Sequence, residues 1–83
     1  MSKKAKLLER LFSKPTDFTW EELKTLLSGF GYKEIRGRGS RIKFYNAESN
    51  SLINLHKPHP SNILKSYMVN DVTTQLEEKG IHP

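Results

Sequence analysis

The sequence predicts an α+β fold in which two helices, a three-stranded antiparallel meander and a closing helix follow one another along 83 residues. Three observations predict it. Apolar residues recur at three- and four-residue spacing on either side of a central stretch; inside that stretch they alternate; and glycine, proline and a capping pattern mark the borders. A chain this short holds a small core built from few elements, so residues 1–83 are expected to form one domain, with a helical extension over 1–16 and a core over 17–81.

In "KKAKLLERLFSK" the side chains of Leu7, Leu8, Leu11 and Phe12 fall on one stripe, with Lys and Arg opposite, and Pro15 ends the helix. The next helix has a complete start signal. Thr19 and Glu22 have the spacing of a capping box, and Phe18 and Leu23 occupy the positions of a hydrophobic staple. Leu23, Leu26, Leu27 and Phe30 continue the apolar face, and Gly29 and Gly31 supply stop and turn residues, giving a helix over about 20–28.

"YKEIR", "RIKFYN" and "SLINLH" are short, alternating and rich in β-branched and aromatic residues, separated by "GRGS" and by a loop over 47–50. Pairing Asn46 with Ser51 sets Ile42 against Leu55 and Phe44 against Ile53, with Ile35 expected on the same buried side. The other face then collects Arg36, Arg41, Lys43, Tyr45, Asn54 and His56, with Arg41 opposite His56 and Lys43 opposite Asn54. Slipping by one residue would expose four large apolar side chains, so the pattern itself opposes a slip. After the sheet, "HKPHPSNILK" contains two prolines, and Ser61 or Asn62 is placed to cap the last helix. Val69, Val72 and Leu76 give this closing helix from about Met68 to Lys79, and Gly80 stops it.

Charge is unevenly distributed. The net charge is +5, and residues 31–66 alone have seven Lys/Arg against two Glu, while 15–30 and 67–83 are each net acidic. A basic middle segment is the footprint of a polyanionic partner, although solubility alone also produces basic surfaces. The absence of cysteine removes disulfides and thiolate metal sites and fits a reducing compartment, so a cytoplasmic location is expected. No apolar run approaches a membrane span, and "MSKKAK" is not followed by a signal-peptide core. A soluble protein without a membrane partner is expected.

Among candidate chemical groups, His56 and His59 are the histidines near the basic face, and imidazole exchanges protons near neutral pH. The plainer readings are a surface histidine at a strand end and a loop residue shaped by Pro58 and Pro60. His82, at the tail, has no assigned role. A metal site is not expected, because the two histidines have no evident third ligand. Ser40 lacks a nucleophile elbow, and Gly37 and Gly39 precede a strand, where Walker and Rossmann loops precede a helix. No cofactor is expected.

Phosphate handling fits the residues better. Glycines let main-chain amides approach an anion, arginines fork onto phosphate oxygens, and Tyr45 offers a ring for stacking. Arg36, Arg38, Ser40, Lys43, Tyr45, Lys57 and Lys65 are therefore the candidate nucleic-acid contacts, the last two beside a helix or turn starting near Ser61. The plainer reading of "GRG" is a tight turn, which explains the glycines but not the paired arginines.

A capped helix ending in "SGFGYKEIRGRGSRIKF", followed by "LINLHKPHP" and a final helix, resembles the HicA family of toxins from type II toxin–antitoxin systems. The resemblance spans roughly residues 20–81. It implies a fold like the double-stranded RNA-binding domain, α-β-β-β-α with the helices packed on one sheet face and here an extra N-terminal helix. It also implies a ribosome-independent mRNA interferase, an endonuclease neutralised by a HicB-type antitoxin that covers the active face. The family's catalytic histidine directly follows Gly-Ser; here that position is Arg41, which is always protonated and cannot serve as a general base.

Three explanations stay open: a divergent branch in which His56 transfers the proton, a substitution that disarms the toxin, or a binder without turnover. In the first, the expected catalytic set is Arg41, His56 and His59, acting by metal-free acid–base chemistry. The alternatives by class are a non-catalytic RNA-binding module and a basic surface that docks an acidic protein.

Overall fold

The computed structural model describes residues 3–83, in the order α1 (Lys3–Phe12), α2 (Trp20–Gly29), β1 (Lys33–Arg36), β2 (Arg41–Asn46), β3 (Ser51–His56) and α3 (Ser66–Glu78). Met1 and Ser2, at the head of the expected extension, lie outside the described residues. α1 buries Leu7, Leu8 and Leu11, the stripe its spacing predicts. It stops at Phe12, and Lys14, in the left-handed region at φ 59°, turns the chain ahead of Pro15.

α2 starts as its capping pattern requires. The Glu22 amide donates to Thr19 Oγ1 at 3.2 Å and the Thr19 amide donates back to Glu22 Oε1 at 3.0 Å. The segment before α3 is clamped to the same place: Trp20 N–H donates to the Asn62 carbonyl at 2.7 Å, and Leu64 N–H to the Phe18 carbonyl at 2.8 Å. α3 begins at Ser66, two residues earlier than its periodicity suggests, with Lys65 as an N-cap that makes no side-chain cap bond. Ser61 and Asn62 therefore do not cap it. Asn62 instead donates to Glu21 Oε2, and Ser61 Oγ accepts from Ile63 N–H.

The sheet is antiparallel in the order β1-β2-β3. Asn46 opposes Ser51, Ile42 opposes Leu55, Phe44 opposes Ile53 and Arg41 opposes His56, the register that the symmetric loop and the apolar alternation predict. One hydrophobic core joins Ile42, Phe44, Ile53 and Leu55 of the sheet to Leu11, Trp20, Leu23, Val72 and Leu76 of the three helices. All the helices thus lie on one sheet face. The innermost polar pair of the hairpin is fixed to the end of α2: Asn46 Nδ2 donates to the Phe30 carbonyl at 2.7 Å, and Tyr32 OH donates to Ser51 Oγ at 2.8 Å.

β1 faces the other way from expectation. Glu34 pairs with Phe44 and Arg36 with Ile42, so both sit on the helix side, whereas Ile35 pairs with Lys43 on the open face and is 48% exposed. The hairpin loop sets this parity. Gly37 N–H donates to the Arg41 carbonyl, which puts 37 opposite 41 and hence 35 opposite 43. The open face therefore consists of Lys33 and Ile35 from β1, Arg41, Lys43 and Tyr45 from β2, and Leu52, Asn54 and His56 from β3, none of them acidic.

Candidate nucleic-acid interface

The hairpin between β1 and β2 separates two concavities, and its glycines are what let it do so. A Cβ on Gly37 would come within 3.3 Å of Arg41 Cβ and of the Arg41 carbonyl oxygen, so only glycine lets the two strands close here without displacement. Gly39 takes φ 62°, and Arg41 N–H closes the tip by donating to the Arg38 carbonyl at 3.1 Å. Lys57 N–H donates to the Ser40 carbonyl at 2.8 Å, which extends the β2–β3 ladder past both named strands and ties the tip down.

The open-face concavity is lined by Arg38, Arg41, Lys43, Asn54 and His56. At its edge His56, the direct cross-strand partner of Arg41, has its Nδ1 3.4 Å from the Oγ of Ser40, a residue of the hairpin tip. A guanidinium, an imidazole and a hydroxyl thus meet at one end of a basic sheet face. Groups of these kinds are chemically able to hold a phosphate diester and to move a proton.

The second concavity, of about 220 Å³, lies on the helix side of the same hairpin, where the start of α2 packs over β1. Arg36, Ser40, Lys57 and His59 line it together with Lys24 and Glu34. The structure therefore corrects the placement of Arg36, which is separated from Lys43 by the thickness of the sheet. It also divides the two histidines, His56 facing the open groove and His59 the helix-side cavity, while Arg41 lines both.

The remaining candidates lie farther out. Tyr45 is on the open face, about 13 Å along the strand from Arg41 at 3.3 Å per residue, and its hydroxyl donates to Asn50 Oδ1. Lys65, at the N-cap of α3, lines neither concavity, and no helix begins at Ser61 to offer amides to an anion. Glu34 and Lys24 escaped the sequence reading. Their nitrogen and oxygen are 3.4 Å apart, while the other carboxylate oxygen of Glu34 is buried with no hydrogen-bond partner. The only sequence signal was parity with Tyr32, which is buried at the start of the same run.

The order α-β-β-β-α, with helices on one face and a basic open face, defines an α+β protein of the double-stranded-RNA-binding-domain type. More narrowly, the chain belongs to the HicA toxin family: residues 20–80 match the family described as HicA toxin of bacterial toxin-antitoxin. It is accordingly a toxin of a toxin–antitoxin system, and α1 lies outside the matched span. No curated protein and no solved structure matches the chain.

Proposed function

We propose that this toxin is a cytoplasmic endoribonuclease, acting as one domain, that binds mRNA across the open sheet face and cleaves it without a metal. A HicB-type antitoxin neutralises it by covering that face. The observation that supports this reading best is the cross-strand pairing of Arg41 with His56, with Ser40 Oγ at 3.4 Å from the imidazole.

In the proposed reaction a phosphodiester binds at Arg41, with Lys43 and Arg38 beside it. His56 takes the proton from the ribose 2′-hydroxyl, whose oxygen attacks the adjacent phosphorus. The bond from phosphorus to the 5′-oxygen breaks, leaving a 2′,3′-cyclic phosphate, and the departing oxygen takes up a proton, for which His59 is the candidate donor. Arg41 acts by charge, offsetting the extra negative charge on the phosphorane oxygens. It thereby takes part in catalysis at the position where the family places a histidine, without needing to lose a proton.

Arg41 also favours a second reading, a non-catalytic RNA-binding module on the same scaffold, because an arginine cannot replace a histidine as base. The deciding experiment is RNA cleavage in EDTA by the protein and by its Arg41→His variant. Cleavage by the unmodified protein, yielding cyclic-phosphate ends, is the expected result. Cleavage by the variant alone would make Arg41 a disarming residue, and binding without cleavage by either would leave the module.

A further inference from the structure

The helix-side cavity gathers more positive charge than the proposed reaction uses. Lys24, Arg36, Arg41 and Lys57 line it against Glu21 and Glu34. Both acids are committed inside the fold: Glu34 pairs with Lys24 at 3.4 Å, and Glu21 Oε2 accepts from the Asn62 side-chain amide at 2.9 Å. Arg36, Arg41 and Lys57 have no ion-pair partner among the described residues. We infer that this cavity is a second phosphate subsite, which holds the phosphodiester next to the one at the open face, so that the RNA strand straddles the β1–β2 hairpin. The inference rests on the reading of RNA as substrate and adds to it the path of the backbone.

Position supports it first. Arg36 lies on the helix side of the sheet and Lys43 on the open side, so the two serve different phosphates. Arg41 lines both concavities, and a strand with one phosphate on each side of the hairpin meets it from both. The crossing point is clear, because nothing lies within 4 Å of where a Cβ on Gly39 would stand. Lys57 is held beside the tip by its own main chain, whose N–H donates to the Ser40 carbonyl at 2.8 Å.

Size and chemistry agree with an anion. A volume of about 220 Å³ equals roughly seven waters of the liquid at ~30 Å³ each, room for a phosphate group that keeps part of its hydration. Arg36 can fork onto two of its oxygens, and Lys57 adds a point charge. The amides of Gly39 and Ser40, both residues of the lining, make no hydrogen bond among the described residues, which leaves them free to donate to an anion.

The test is equilibrium binding of a short uridine strand, 2′-O-methylated so that it binds without being cut, over a range of salt. Arg36→Gln combined with Lys57→Gln, two exposed positions, should lower the slope of log affinity against log salt by about 0.7, the worth of one phosphate of a single strand. Adding Lys43→Ala should lower it by about as much again, because that side chain serves the other phosphate. Arg36→Lys, which keeps the charge, should restore most of the slope to the double variant. A 5′-phosphate on the strand should leave affinity unchanged, since an internal phosphodiester fills the cavity. A slope unmoved by the double variant, or a triple variant that loses no more than Lys43→Ala alone, would overturn the subsite while leaving RNA binding intact. A gain from the 5′-phosphate that disappears in the double variant would overturn the straddling strand and make the cavity a pocket for a terminal phosphate. No binding to any strand would overturn the RNA reading and the subsite with it.

Discussion

Ser40 Oγ lies 3.4 Å from His56 Nδ1, and the main chain repeats the contact one residue on, where Lys57 N–H meets the Ser40 carbonyl at 2.8 Å. The hydroxyl can therefore fix the ring's orientation, leaving Nε2 to exchange a proton with RNA. His56→Ala should lower the cleavage rate by at least about 10²-fold, the scale of general acid–base catalysis, with RNA affinity nearly unchanged. Ser40→Ala should cost about tenfold, the worth of one hydrogen bond. Single-turnover cleavage with affinity measured in parallel checks both, and an undiminished rate in His56→Ala would remove His56 from the mechanism.

Arg38, Arg41 and Lys43 cluster on the open face with no acid among its residues, so RNA binding should release counterions. For a single strand, log affinity should fall with log salt by about 0.7 for each phosphate contacted. Arg38→Ala and Lys43→Ala should each reduce that slope by about this amount and weaken all sequences alike. A slope unmoved by either substitution would take those two side chains off the phosphate path.

The β2–β3 register was legible because two independent signals agreed: a loop whose length fixes the pairing of Asn46 with Ser51, and four apolar residues that a slip would expose. β1 offered no such redundancy. It is an edge strand with a single large apolar residue, Ile35, and assigning that residue inward was natural but wrong; the tight closure of Gly37 on Arg41 outranks one side chain's preference for burial. Consequently Arg41 and His56, on the well-specified hairpin, were placed correctly, and Arg36 was not. Glu34 has no sequence signal that pairs it with Lys24, which is ten residues away on a helix, because only packing brings them together.

Arg10 donates to both Asp17 and Glu22, so α1 is tied to the residue that closes the α2 capping box. Burial alone would raise the Glu22 carboxyl, but hydrogen bonds from Thr19 and Arg10, with the Arg10 charge, outweigh it and hold the group below its ordinary value. A carboxyl depressed in the fold stabilises the folded state above its unfolded value of 4.5, and that contribution is lost as pH falls through the folded value. Glu22→Gln should therefore destabilise at neutral pH and flatten the acid limb of the stability curve. Thr19→Ala, which removes the other half of the box, should cost about 1 kcal/mol. Urea unfolding at pH 7 and pH 3 tests the pair; an acid limb as steep in Glu22→Gln as in the parent would place the acid sensitivity elsewhere.

Ile35 and Leu52 stand out on the open face at 48% and 44% exposure, flanked by Lys33 and Lys43, while Phe44 on the opposite face is 2% exposed and packs 5.7 Å from Trp20. The two faces should answer differently to truncation. Phe44→Ala should cost about 3–5 kcal/mol, because it empties the core. Ile35→Ala and Leu52→Ala should each change stability by no more than about 0.5 kcal/mol, as surface substitutions do. If the antitoxin covers this face, the same two truncations should weaken its capture, because exposed apolar side chains ringed by charge are what a partner buries. Denaturant midpoints and antitoxin affinities measured on the three variants separate the roles. A large stability loss in Ile35→Ala would return that residue to the core, and full antitoxin affinity in both surface variants would move the antitoxin off the open face.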